Sequence, residues 1–176
     1  GAVPALVSIP GIDDPRVIDC LHIHEKDVSA CRNIVILGGG LTGMECAVDM
    51  ALKGHDVSIL EMRNCLAHGA PYITLLAVRD YIEKLDNVHT YLRHKVTRID
   101  ESGVHTLDKN GQNRTFPADA VVSCFGMQSR REETDALRAA ADANVITVGD
   151  CLSPGTMYEA GTFGFWAGYS IYGGNM

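Results

Sequence analysis

An α/β fold built on a parallel sheet is what this sequence predicts, on three observations. Asn33-Ile34-Val35-Ile36-Leu37 is a nearly continuous apolar run, the pattern of a strand covered on both faces. Three glycines follow at once, and then Leu41, Met44, Val48 and Ala51 recur at helical spacing. Val57-Ser58-Ile59-Leu60 returns to the strand pattern just after Gly54, which closes strand, turn, helix and strand into one βαβ unit.

Composition narrows the class further. The chain has 176 residues, enough for one domain or for one with a piece of another. Hydrophobic residues at 46% and charged residues at 21% match a globular protein and exclude a disordered or fibrous one. A net charge of −7, with no lysine- or arginine-rich run, argues against a partner that is nucleic acid or an anionic membrane. No apolar stretch approaches ~18 residues, so no membrane span is expected. The N-terminus has neither a signal-peptide pattern nor an initiator Met, and reads as the start of a fragment. Cys20, Cys31, Cys46, Cys65, Cys124 and Cys151 are irregularly spaced without any C-x-x-C, which excludes zinc ribbons and dithiol motifs. Such scattered thiols fit a reducing cytoplasm and read as small buried side chains, although Cys124 and Cys151 adjoin the cofactor-like segments described below.

Residues 1–16, with prolines at 4, 10 and 15, read as an extended, irregular lead-in. A short helix is expected over His24–Ala30. The periodic helix runs over 41–53, with Gly54 as its left-handed stop. Ile73–Leu85 has helical spacing again, and Val88–Leu92 is a third strand. Val96–Ile99, Gly103–Leu107 and Asn113–Phe116 are short strands, with Asn110-Gly111 as a hairpin turn because both residues tolerate positive φ. Ala120–Cys124 reads as a buried strand, Glu132–Ala141 as a helix, Val145–Val148 as another buried strand and Met157–Tyr172 as a closing helix. The sum is a Rossmann-like three-layer parallel sheet of about four strands with a β-meander crossover near 95–117.

Gly38-Gly39-Gly40-Leu41-Thr42-Gly43 matches G-x-G-x-x-G between a predicted strand and a predicted helix, the context that dinucleotide binding requires. Gly38 permits the tight turn, Gly40 admits a pyrophosphate close to the backbone, and Gly43 lets helix and strand approach. The helix start offers unpaired N–H donors and positive partial charge. The alternative is a glycine-rich turn without a ligand.

Glu61 ends the second strand 23 residues after Gly38, near the ~20 expected of an acid that accepts from the adenosine ribose hydroxyls. Its charge would oppose the 2′-phosphate of NADP: a like pair at ~4 Å costs about 4 kcal/mol at an effective dielectric near 20. NAD is therefore favoured. Arg63, beyond Met62, keeps NADP open, since a guanidinium accepts a phosphate. A second signature is Val145-Ile146-Thr147-Val148-Gly149-Asp150, with Pro154-Gly155 before the last helix. Asp150 can accept from a sugar-alcohol chain while the helix faces a diphosphate; the alternative is an aspartate that caps a turn. Met157, Tyr158, Phe163, Phe165, Trp166 and Tyr169 make an aromatic-rich tail, read as core or docking surface. His22 and His24 have a spacing zinc can use, but no third ligand is nearby, and no metal site is assigned.

The order Gly1-Ala2-x-Pro4, GGGLTGMECA, a strand ending in Glu61, VVSCFG and VITVGD resembles the two-dinucleotide-fold flavoprotein reductases, the pyridine nucleotide-disulfide oxidoreductase fold. GDCLSPG and ILEM are most similar to the branch fused to old-yellow-enzyme barrels, the NADH:flavin oxidoreductases of the 2,4-dienoyl-CoA reductase and enoate reductase type. The resemblance implies that residues 38–43 bind the NAD(P)H pyrophosphate, with Glu61, Met62 and Arg63 at its ribose and Val96 near the adenine. It implies that Cys124 and Gly126 lie over the nicotinamide nucleotide, and that Gly149 and Asp150 hold the ribityl chain of FAD. It further implies a lead-in from a missing FAD domain (1–30), an NAD(H)-binding domain (31–145) and a closing segment of the FAD domain (146–176). The expected activity is presentation of NADH for hydride transfer to FAD, with flavin and barrel domains of a parent chain as partners, and without a catalytic acid or base from this piece. The family opens with its own glycine turn for FAD, whereas this chain has one turn only. Two further readings are an FAD-binding Rossmann domain and a nucleotide-binding module without catalysis.

Overall fold

The computed structural model describes residues 1–172. In chain order its elements are β1 (Ala2–Pro4), β2 (Val17–Asp19), a 3-10 turn (Cys20–Glu25), β3 (Asn33–Leu37), α1 (Leu41–Leu52), β4 (Asp56–Glu61), α2 (Tyr72–Lys84), β5 (Val88–Leu92), β6 (Lys95–Asp100), β7 (Gly103–Leu107), β8 (Asn113–Phe116), β9 (Ala120–Ser123), β10 (Met127–Ser129), α3 (Arg131–Ala140), a second 3-10 turn (Gly149–Cys151) and α4 (Met157–Tyr172). They form two compact units, Leu6–Phe125 and the pair of segments Gly1–Ala5 and Gly126–Met176.

The larger unit carries a five-stranded parallel sheet in the order β2-β9-β3-β4-β5. Strand alternation sorts its side chains. Ile34, Ile36, Val57, Ile59, Ala120, Val122 and Cys124 face one side, where Ala47, Met50 and Ala51 of α1 complete the core. Val35, Leu37, Leu60 and Val121 face the other, against Ile99, Val104 and Phe116 of the antiparallel meander β6-β7-β8. The layers are therefore helices, sheet and meander, as an α/β Rossmann-like reading requires. α1 ends where the sequence stops it: Gly54 takes φ +94, and the Asn87 side chain donates to the carbonyls of Ala51 and His55.

Arg16 ties the layers together. Its guanidinium donates to Asp14 at 2.8 Å, to the Asp100 carbonyl at 2.7 Å and to the Ala118 carbonyl at 3.3 Å. The Arg16 side chain and main chain both donate to Asp14 and hold its carboxyl down at about 2. A second staple joins β9 to β3: Asp119 accepts from the main-chain N–H groups of Arg32 and Asn33.

Three expectations need correction. The sheet has five strands rather than about four, because the three-residue β2 pairs with β9 at its edge. No helix covers 24–30; a 3-10 turn forms earlier, over Cys20–Glu25, capped by Asp19, and Asp27 then binds the Ser29 main chain and hydroxyl, which competes with helix. Val145–Val148 is not a strand. Its β-branched residues suit one, but a strand needs a ladder partner, and the described sheet of that unit consists of β1 and β10 alone.

The smaller unit pairs β1 with β10 antiparallel and carries α3 and α4. Among the described residues no helix is long and apolar enough to cross a membrane.

Candidate functional site

Three strand ends meet at one level of the parallel sheet. Leu37 pairs with Leu60 on one side and Ser123 on the other, so Gly38, Glu61 and Cys124 leave the sheet side by side. The Gly38 N–H donates to Leu60 O and the Cys124 N–H to Leu37 O, both at 2.9 Å, which extends the ladder one step into the turn. Crevices at the carboxyl ends of parallel strands are where α/β sheets bind ligands.

Each glycine of the turn has its own reason. Gly38 sits at φ +108, and a Cβ there would overlap the Cys124 carbonyl oxygen. A Cβ on Gly43 would overlap the Gly38 carbonyl oxygen, so α1 lies against β3 only because that side chain is absent. A Cβ on Gly39 would strike Leu66 Cδ2. Gly40 differs: nothing lies within 4 Å of where its Cβ would stand. Gly40 is also the N-cap of α1, without a side-chain cap, and no acid stands in the first turn of Leu41, Thr42 and Gly43. The helix start is an open cradle of N–H donors, suited to a diphosphate.

Glu61 is buried at the lip of this cradle. Its Oε2 accepts from the Gly39 N–H at 2.8 Å and its Oε1 from the Arg63 N–H at 2.7 Å. Each oxygen keeps a lone pair for a further donor such as a sugar hydroxyl. The structure thus brings the glycine turn and Glu61 together, with Arg63 bound through its main chain and Met62 exposed. Val96 packs against the second core, on the meander side of the sheet. Cys124 backs the turn from beneath, buried on the helix face of the sheet.

Sequence reasoning passed over the loop that holds the turn from outside. Ala67 is buried at φ +45, and its N–H donates to Gly39 O at 2.6 Å, while Leu66 covers Gly39. The signal was the apolar pair Leu66-Ala67 inside an otherwise polar stretch.

Gly126, Gly149 and Asp150 belong to the smaller unit. Gly126 and Gly149 take φ +86 and +60. Asp150 Oδ1 accepts from the Gly155 N–H at 3.2 Å, the contact of a turn-capping aspartate, and Oδ2 is left to another donor. The start of α4 is closed on itself. Thr156 and Glu159 form a reciprocal cap, with the Glu159 carboxylate on the Thr156 N–H at 2.7 Å and Thr156 Oγ1 accepting from the Glu159 N–H at 3.3 Å. Those bonds hold the Glu159 carboxyl below its usual range, so an anion is already seated there. The residues at α4 do not fit a second diphosphate; those at α1 fit a first.

Fold and turn together define a Rossmann-like domain of the kind built on a glycine-rich strand-to-helix crossing. Residues 1–160 match the pyridine nucleotide-disulphide oxidoreductase family, and the chain belongs to that family. It is 28% identical over 187 residues to a metal reductase of Desulforamulus reducens, covering 91% of this chain and 28% of that protein. It is 28% identical over 140 residues to an NADH oxidase of Thermoanaerobacter brockii, covering 80% and 21%. Among solved structures, a 2-naphthoyl-CoA reductase in complex with 2-naphthoyl-CoA is similar at a TM-score of 0.79 and 27% identity, covering 91% of this chain and 24% of that one. The chain therefore spans about a quarter of the length of these proteins.

Proposed function

We propose that this chain is the NADH-binding portion of a flavin-dependent oxidoreductase, of the branch fused to old-yellow-enzyme barrels, and that it presents the nicotinamide for hydride transfer to FAD. One observation carries the reading. The uncapped, acid-free start of α1, open above Gly40, stands beside a buried carboxylate that retains free lone pairs. The family and the reductase and oxidase relatives support the same class of chemistry.

In this reading Gly39–Gly43 donate main-chain N–H groups to the diphosphate, and Glu61 accepts from the adenosine ribose. Val96 borders the adenine, Cys124 and Gly126 flank the nicotinamide nucleotide, and Gly149 and Asp150 offer acceptors to a ribityl hydroxyl. NADH bound there supplies the hydride from C4 of its nicotinamide. The chain's own contribution is orientation and electrostatics, with no acid or base nominated. Six unpaired thiols suit a reducing cytoplasm as its setting.

Flavin binding and the final acceptor fall mainly to other parts of such an enzyme. A second reading, NADPH in place of NADH, rests on Arg63, whose main-chain N–H is bound to Glu61 and whose guanidinium is a group that can accept a 2′-phosphate. Calorimetric titration of the full chain with both nucleotides tests the pair. NADH is expected to bind at least about tenfold more tightly than NADPH. Equal affinity would remove the role given to Glu61, and no binding of either would remove the proposal.

A further inference from the structure

Two residues, Arg93 and His94, carry the chain from β5 of the parallel sheet into β6 of the meander, and they pass beside the acid. Leu92 stands opposite Glu61 in the β4–β5 register. Beyond it the Arg93 N–H donates to Arg63 O and the His94 N–H to Glu61 O, both at 2.9 Å. The tip of β4 is thus held twice. This turn takes the carbonyls of Glu61 and Arg63, and the N–H groups of Gly39 and Arg63 take the Glu61 carboxylate.

The turn is conformationally costly. Arg93 sits at φ +59, in the left-handed region where a side chain is penalised and glycine is the default residue. Among the described residues one other non-glycine residue has a positive φ, Ala67, and it too donates its main-chain N–H into the site, to Gly39 O. His94 locks the turn from its far side. Its Nδ1–H donates to Leu92 O at 2.9 Å, and its ring stands edge-on to Tyr91 and to Phe116, each at 5.8 Å between centroids. Strain of this kind persists where the surroundings over-determine it, and it concentrates at functional sites.

We infer that Arg93 is a positioning residue for recognition of the adenosine ribose, acting through its left-handed backbone rather than its exposed side chain. The inference rests on the reading of Glu61 as the ribose acceptor. The left-handed residue aims two successive N–H donors at the tip of β4 and so sets the direction in which the Glu61 carboxylate points. With the turn relaxed, both donors leave their carbonyls, and the carboxylate swings with the strand tip away from the sugar hydroxyls. Neither N–H of the turn binds the start of α1, so the diphosphate cradle is spared. The loss is therefore selective for the hydroxyl.

Calorimetry of the full chain with ADP and with 2′-deoxy-ADP tests this. Both carry the diphosphate and the adenine, and they differ in one hydroxyl that Glu61 would accept from. The wild type is expected to bind ADP about tenfold more tightly. In Arg93→Val, whose β-branched side chain is least tolerated at positive φ, that ratio is expected to fall to about one through loss of ADP affinity. A general loss of stability would weaken both ligands and leave the ratio intact. Arg93→Gly keeps the turn without the guanidinium and is expected to keep the ratio. Amide hydrogen exchange of the wild type needs no folded variant, and there the Arg93 and His94 N–H groups are expected to exchange slowly, and more slowly with ADP. An unchanged ratio in Arg93→Val, a lost ratio in Arg93→Gly, or fast exchange at both amides would overturn the inference. A wild type that binds the two ligands equally would remove the reading of Glu61, and this inference with it.

Discussion

The main-chain N–H of Gly39 donates to Oε2 of Glu61 at 2.8 Å, across a separation of 22 residues. That bond joins the glycine turn after β3 to the acid at the tip of β4, so the two halves of the dinucleotide signature form one rigid unit. With Oε1 taken by the Arg63 N–H, the carboxylate is fixed before any ligand arrives. Preorganisation of this kind lowers the ordering cost of binding.

Glu61→Gln tests that strut. An amide offers one oxygen acceptor where the carboxylate offers two, so either Gly39 or Arg63 then faces an N–H donor. A buried donor left unpaired costs ~1–3 kcal/mol. The expected results are a lower melting temperature and NADH binding weaker by about tenfold, read by thermal denaturation and calorimetry.

Gly40 and Gly43 are expected to separate binding from folding. Gly40→Ala meets nothing within 4 Å and keeps an extended backbone at φ −67, ψ 176, so the melting temperature should hold while the methyl obstructs the diphosphate. Gly43→Ala would press a methyl into the Gly38 carbonyl and force α1 off β3, which costs ~1–3 kcal/mol in stability. Melting curves beside NADH titrations of both variants check the contrast.

Much of this was legible in the sequence, for physical reasons that differ by element. Asn33–Leu37 and Leu41–Leu52 were readable because burial on both faces and a helical apolar period leave strong patterns. The Asn110-Gly111 turn was readable because Gly111 takes φ +76. β2 was not, since three residues carry no period and its existence depends on β9. Val145–Val148 shows the converse, a strand composition without a ladder partner in its unit. At the site, the spacing of Gly38 and Glu61 pointed to a ribose acceptor, but the Gly39 bond is a tertiary contact that spacing does not encode. Thr156 and Glu159 did carry a capping signature, which the adjacent Pro154-Gly155 obscured.

Acid should loosen the larger unit through Asp14. Its carboxyl is held down at about 2 by Arg16, below the ~3.9 of an unfolded aspartate. A depressed carboxyl contributes stability that is whole above the unfolded value and is lost as pH falls through the folded one. Between about pH 4 and 2 the wild type is therefore expected to lose stability, and Asp14→Asn to show a shallower loss from a lower starting point. Urea unfolding across that range measures both.

The meander face of the sheet gives a core prediction. Leu37 is fully buried against Ile99, Val104 and Phe116, immediately before the turn. Leu37→Ala is expected to cost ~2–5 kcal/mol in urea unfolding. A much smaller loss would mean that the meander does not cover this face.

The most direct test of the central claim is an amide-resolved NMR titration of the full chain with NADH. The account requires the main-chain N–H signals of Gly39–Gly43 and those of Glu61–Arg63 to shift together, saturating at a single affinity. Shifts confined to other residues, or a titration that leaves Gly40 and Leu41 unmoved, would contradict it.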